Sequence, residues 1–155
     1  MKRSAGILLY RRSPKLDVLL VHPGGPFWAK KDSHAWSIPK GEYEDGEDPL
    51  AVAQREFEEE LGTPPPRGKM IELGELAQLS RKLVKAFAID GDFDPAALKS
   101  NRFEMEWPPR SGRMQSFPEV DRAEWFTPDQ AREKILAGQR PFIDRLLERL
   151  AKRVP

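Results

Sequence analysis

Residues 48–66 constrain this chain more than any other stretch, because they read as a helix that must stop abruptly. Asp48 precedes Pro49; an aspartate side chain caps free helix amides, and proline is tolerated at the first helical position. The helix then runs over residues 48–61. Gly62 is a stop signal, and Pro64-Pro65-Pro66 forbids continuation. With residues about 100° apart, Leu50, Ala53, Phe57 and Leu61 share one arc of roughly 80° and face a core. Glu56, Glu59 and Glu60 fall in the adjacent arc, while Glu58 points to solvent. Carboxylates therefore gather at the margin of the buried face.

That gathering is unfavourable by itself. Like charges three or four residues apart on a helix each cost about 0.2–0.5 kcal/mol. Glutamates in the last turn also oppose the helix dipole, at about 0.3–1 kcal/mol per charge. A hard divalent cation would turn the repulsion into coordination, since magnesium takes carboxylates together with waters and substrate phosphates. On charge alone two readings stand: a cation site, or a solvated acidic face, which is the commoner condition of a charge run.

The rest of the chain narrows the setting. Its 155 residues hold 26 Lys plus Arg against 25 Asp plus Glu, which argues against a general nucleic-acid or membrane-surface binder. There are no cysteines, so a disulfide scaffold, a thiolate zinc site and a cysteine nucleophile are excluded. After Met1-Lys2-Arg3 the apolar run over residues 5–10 is too short for a signal peptide, and Arg11-Arg12 follow at once. No stretch approaches the roughly 20 apolar residues of a membrane span. These features predict a soluble, cytoplasmic chain folded as one domain over residues 1–155.

Apolar runs at residues 4–10 and 17–22, around a turn at residues 11–15 containing Ser13-Pro14, predict a hairpin. Pro23-Gly24-Gly25-Pro26 is a loop, and residues 36–39 are extended because a residue before proline avoids helical geometry. Further strands are expected at residues 70–79, 83–91, 102–107 and 123–126. Thr127-Pro128 opens a helix to about Ala137, ended by Gly138. Residues 141–152 form a last amphipathic helix with Phe142, Leu146, Leu147 and Leu150 on its apolar side. Mixed strands and helices without strict alternation give an α+β or α/β chain with a mixed sheet.

The spacing around the glutamates settles which reading of the helix holds. Gly41-Glu42-Tyr43-Glu44-Asp45-Gly46-Glu47 is followed, after seven residues, by Arg55-Glu56-Phe57-Glu58-Glu59-Glu60-Leu61-Gly62. This resembles the Nudix box, the signature of the MutT-type hydrolases, at every fixed charged and glycine position. Phe57 replaces the usual aliphatic, and Thr63 stands at the last aliphatic position. Trp36-Ser37-Ile38-Pro39-Lys40-Gly41 resembles the strand leading into the box, especially in members acting on dinucleoside polyphosphates. Pro118-Glu119-Val120 and Ala123-Glu124-Trp125-Phe126 resemble the later loop and strand. The resemblance implies an α+β fold, the Nudix α/β/α sandwich with a central mixed β-sheet flanked by helices.

It also implies a chemistry: metal-dependent hydrolysis of a diphosphate linkage in a nucleoside diphosphate joined to another group. The favoured substrates are a nucleoside triphosphate or a dinucleoside polyphosphate. By position, Glu56, Glu59 and Glu60 are the expected ligands of Mg2+, with Mn2+ as a substitute and the Gly41 carbonyl as an addition. Glu59 and Glu119 are alternative general bases. Glu47 and Arg55 would brace the box; Gly46 and Gly62 would permit the loop turn and the helix stop. Lys40 is placed to meet a phosphate, and Lys30, Lys31, Arg110 and Arg113 lie on loops that could line the mouth. Phe27, Trp28 and Trp107 would either stack on a base or pack in the core. His22 and His34 lack a partner at metal-ligand spacing and receive no chemical role. The partner is a small nucleotide, with monomer and homodimer both open. The competing classes are a non-catalytic Nudix-fold nucleotide sensor and an enzyme acting on RNA 5′ ends; near-zero net charge gives the latter no support.

Overall fold

The computed structural model describes residues 2–12 and 14–152. Ser13 of the expected first turn and Met1 of the basic start lie outside the described residues. Strand β1 (Arg3–Arg11) is the centre of the molecule. It pairs parallel with β5 (Leu83–Asp90) from Arg3↔Leu83 to Tyr10↔Asp90. Its other edge is divided: Arg3 to Gly6 pair with β3 (Lys40–Tyr43), and Tyr10 and Arg11 pair with β2 (Asp17–Pro23). The hairpin read from the sequence is therefore present but short, because β2 swings away to pair with β8 (Val120–Phe126). With β4 (Met70–Ala77) on the far side, the sheet order is β4-β5-β1-β2-β8, and β3 joins β1 off that path. One parallel pair among antiparallel ones makes this a mixed sheet.

Every residue of β1 from Ser4 to Tyr10 is buried, as expected of a strand covered on both faces. Period-two alternation sends successive side chains to opposite layers. Ala5, Ile7 and Leu9 pack with Ala53, Phe57 and Leu61 of α1 (Pro49–Leu61). Leu8 and Tyr10 pack on the other side with Ala131 of α2 (Pro128–Lys134) and with Phe142, Ile143, Leu146 and Leu150 of α3 (Pro141–Ala151). The result is the α/β/α sandwich. No helix among the described residues is long and apolar enough to cross a membrane.

Several boundaries differ from the sequence reading, each for a tertiary reason. Strand β4 ends at Ala77, leaving Leu79 fully exposed in the following turn. Gly138 does not end α2. The helix stops at Lys134 because Ile135 turns extended and bridges Trp36, and Gly138 falls in a 3-10 turn over Ala137–Gln139. On α3 the buried stripe takes Ile143, whereas Leu147 is only half-buried. On α1 Val52 is buried and Leu50 half-buried.

Two strands depart from the sequence reading, β3 by starting later than expected and a later one by being present at all. Strand β3 follows the extended segment ending at Pro39, and β7 (Met114–Pro118) pairs with β6 (Arg102–Glu106) in a two-stranded ribbon apart from the main sheet. The partners sit far away in sequence or across a turn with no simple pattern. The β2–β8 pairing also carries a bulge: His22 opposes Arg122 but Pro23 opposes Val120, so Asp121 is an extra residue on β8.

Candidate active site

Helix α1 is closed at both ends by the devices its sequence proposes. The Asp48 carboxylate accepts a hydrogen bond from the Leu50 amide, and Gly62 adopts φ 91° while its N–H donates to the Glu58 carbonyl. The Leu61 and Glu59 carbonyls, orphans of the last turn, accept from the amides of Lys99 and Asn101. The segment before β6 thus seals the glutamate end of the helix.

Gly41 is required by a side chain. A Cβ on Gly41 would lie 2.0 Å from Cδ of Glu56, so only glycine lets the strand rest on that carboxyl group. One residue earlier, the Lys40 amide donates to Oε2 of Glu60 (3.2 Å). Strand β3 therefore lies across Glu56 and Glu60, which project from α1 one turn apart. Gly46, at φ 93° with open space around it, is needed for backbone conformation rather than packing. Beyond it, Oε1 of Glu47 accepts from the Glu44 amide (2.8 Å). Arg55 lies 3.7 Å from Glu47 and 3.8 Å from Glu56. Arg55 is half-exposed, so this pair is worth at most about 1 kcal/mol as an isolated salt bridge.

The carboxylates are electrostatically frustrated. Burial, followed by the neighbouring Glu56 carboxylate, pushes the Glu60 carboxyl up to about 8, with Lys40 opposing the rise. Burial also raises Glu56, and Glu59 adds to it through its charge and a shared hydrogen bond, while Arg55 pulls the other way. Burial lowers the Lys40 ammonium, and Glu60 counters that. Glu119, in the turn between β7 and β8, adds to the negative potential at both Glu56 and Glu60. Among the described residues no three acidic or imidazole side chains close into a ready-made metal cage. The donor set nevertheless fits a hard divalent cation: oxygen ligands, one side open, and two carboxyl groups that burial and mutual repulsion raise above the usual carboxylate range.

Two cavities meet at this cluster. One, of about 220 Å³, has Lys40, Glu60 and Glu119 at its polar end and Val21, Trp28, Ile38 and Leu136 among its walls. The other, of about 360 Å³, is walled by Phe27, Phe103, Met105 and the Pro23–Pro26 loop, and shares Pro23, Trp28 and Glu119 with the first. The loop fits tightly on the ribbon: a Cβ on Gly24 would lie 1.9 Å from the Pro118 carbonyl oxygen. Beside Phe27 and Trp28, Phe103 and Met105, alternate residues of β6, give this cavity a short period-two apolar pattern in the sequence.

The remaining candidates divide. Trp28 lines both cavities, with Lys31 Nζ 5.1 Å from its ring. Phe27 is exposed and meets Trp107 edge-on at 5.4 Å, so these rings join the loop to the ribbon. Arg110 and Arg113 lie in the exposed turn beyond β6 and line neither cavity. Lys30 is exposed and lines neither as well. His34 has its Nδ1 3.2 Å from the Ile135 carbonyl. His22 is fully buried and bonded through both ring nitrogens, which its lack of a sequence neighbour did not suggest. Gln139 was also missed: its buried amide accepts from the Ile38 N–H and bonds Ser37, fixing the segment that leads into β3.

A mixed sheet between helical layers, with a glutamate-bearing helix laid under a glycine strand at one end, is the architecture of the Nudix hydrolases. The chain belongs to this family: the NUDIX domain pattern matches residues 1–146. Its members are hydrolases acting on acid anhydrides and generally need divalent metal ions. Among solved structures, a C. elegans Ap4A hydrolase in a binary complex superposes with a TM-score of 0.64 at 19% identity, covering 96% of this chain and 98% of that one. The NUDIX domain of Shewanella oneidensis NrtR complexed with ADP ribose gives 0.62 at 16%, covering 96% and 87%. The M. smegmatis Nudix hydrolase RenU gives 0.61 at 22%, covering 98% and 86%. At these identities the likeness is one of fold. No curated protein matches the sequence significantly.

Proposed function

We propose that this chain is a Nudix pyrophosphohydrolase that cleaves the diphosphate linkage of a nucleotide, with a dinucleoside polyphosphate favoured over a nucleoside triphosphate. The observation that carries the reading is the pressing together of Glu56 and Glu60 beneath Gly41, at the polar end of an apolar cleft. Glu56, Glu59 and Glu60, with the Gly41 carbonyl, would hold Mg2+, or Mn2+ in its place. The ion when bound supplies charge neutralisation on the phosphate oxygens and acidifies water.

The chain's own groups do the rest. Lys40 faces the same cavity and would pair with a phosphate oxygen. Glu59 and Glu119 are the two carboxylates able to take the proton from the attacking water. As water's oxygen bonds to one phosphorus, the bridging P–O bond breaks and the other phosphate departs with the electron pair. Glu47 and Arg55 brace the loop, and Gly46 and Gly62 set its turn and the helix stop. Apolar walls around Trp28 would receive a nucleobase. Two such cavities flanking Glu119 support a substrate with a base at each end of its phosphate chain.

The test is a panel of nucleoside triphosphates, dinucleoside polyphosphates and ADP-ribose incubated with the protein and magnesium, reading released phosphate and pyrophosphate. Turnover of a two-headed compound above the triphosphates is the expected result. Tight binding of one compound without cleavage of any would replace the hydrolase by a nucleotide sensor.

A further inference from the structure

His22 stands at the bulge where β2 meets β8, wholly buried, with its ring edge-on to Trp36 at 5.1 Å. Its Nδ1 lies 2.8 Å from Oδ1 of Asp121 and its Nε2 2.6 Å from the carbonyl oxygen of Lys31. The bulge explains the first contact. In regular pairing Asp121 would point to the opposite side of the sheet from His22; the extra residue turns its carboxylate onto the ring. Both contacts are with acceptors. A backbone carbonyl never donates, so Nε2 carries a hydrogen. Asp121 is one-third exposed and has Arg122 Nε at 3.8 Å, a cation beside an oxygen that accepts. Nδ1 then carries a hydrogen too.

Of the other charged groups nearby, Arg122 pairs with Asp121 itself, and Asp32 and Lys134 pair with each other. Arg122 also stacks over Trp36 at 5.0 Å, and Asp32 is bonded to the Trp36 indole and to Lys134. Asp121 is therefore the acidic group that meets the ring.

The two bonds reach the two sides of the cleft. Lys31 closes the loop that carries Phe27 and Trp28, its amide donating to the Trp28 carbonyl. Asp121 follows Glu119 by two residues, and the Glu119 carbonyl accepts from the Gly24 amide of the same loop. We propose that His22 is a positioning residue: an imidazole bearing two N–H groups that clamps the Trp28 loop to the Glu119 turn and so fixes the distance between the base wall and the candidate general base. The kinetic half of this statement rests on the proposed hydrolase reading; the structural half does not. A misplacement of about 1 Å at reacting groups costs about a hundredfold in rate, so a clamp at this point has leverage.

The experiment has two arms. Long-range proton–nitrogen NMR of the ring at neutral pH reads protonation without any substrate. Two protonated ring nitrogens in the wild type, and one bare nitrogen in Asp121→Asn, are expected. Kinetics on the substrate found in the panel then compares Asp121→Asn with His22→Phe. Asp121→Asn, which keeps the Lys31 bond, is expected to lower kcat about tenfold with KM little changed. His22→Phe, which loses both bonds, is expected to lower kcat and also raise KM. A bare ring nitrogen in the wild type overturns the protonation state. Wild-type kcat and KM in both variants overturn the positioning role. Loss of stability with kcat and KM unchanged would make His22 merely structural. Absence of any substrate defeats the hydrolase reading and leaves the NMR arm standing.

Discussion

Helices α1 and α3 begin alike, each with proline at its first turn, and each covers one face of the same sheet. Their charges run in opposite senses. Helix α3 has Asp144 in its first turn and Arg149 in its last, as the helix dipole prefers. Arg145 and Arg149 also donate to the carbonyls of Leu73, Glu75 and Glu72, covering the edge strand β4. Helix α1 has no acidic residue in its first turn and no basic one in its last, where Glu58, Glu59 and Glu60 sit instead. One helix follows the rules of stability; the other departs from them at the end that faces the cleft. Departure from local electrostatic preference, on a helix otherwise well capped, is the mark of a functional element.

Three measurements test that contrast. The largest is Phe142→Ala on α3. It removes a fully buried ring and should cost about 3–5 kcal/mol in chemical denaturation, while turnover per folded molecule stays unchanged. A loss of turnover at full stability would show α3 to be more than scaffold. Next is Glu60→Gln on α1, expected to cut turnover by about a hundredfold or more with the fold intact. Unchanged turnover would mean the carboxylate helix is only an acidic face.

The smallest effect is the pH dependence of the metal-free protein. Glu60 titrates near 8 when folded against an ordinary 4.5, so the folded state holds this proton more tightly. The sign follows from linkage: its contribution is fully present below about 4.5 and is lost as pH rises through about 8. Thermal melting in a chelator should show Tm falling over that window, and Glu60→Gln should flatten the fall. A Tm that rises with pH in both proteins would remove Glu60 from the account.

What the sequence disclosed was what neighbouring residues decide. Asp48, Pro49 and Gly62 place α1 because caps act within a turn, and the Gly41–Gly62 spacing is a local signature. The alternation of β1 was visible as an apolar run but not its two layers. The strand leading into the box, expected over residues 36–41, is shifted to Lys40–Tyr43 because pairing with β1, not local propensity, sets its bounds. The end of α2 was misread because Ile135 is recruited by Trp36, about a hundred residues earlier. His22 with Asp121, and Gln139 with Ile38, are likewise joined across most of the chain, and no spacing rule reaches that far. Arg110 and Arg113 show the converse: loop arginines look available in sequence, yet the ribbon holds their turn outside both cavities.

The divided edge of β1 bears on how the chain is made. Its full-length partner is β5, at residues 83–90, while β2 and β3 offer only short stretches of pairing. Synthesis from the N-terminus delivers β1 well before its main partner, with β2, β3, α1 and β4 in between. The strand with the longest buried run among the described residues thus waits, unpaired along one side, until the box helix and the triple proline have already left the ribosome. Helix α1, with Asp48 and Gly62 as local caps, emerges between the two partners and carries the Ala53, Phe57 and Leu61 face that covers Ala5, Ile7 and Leu9.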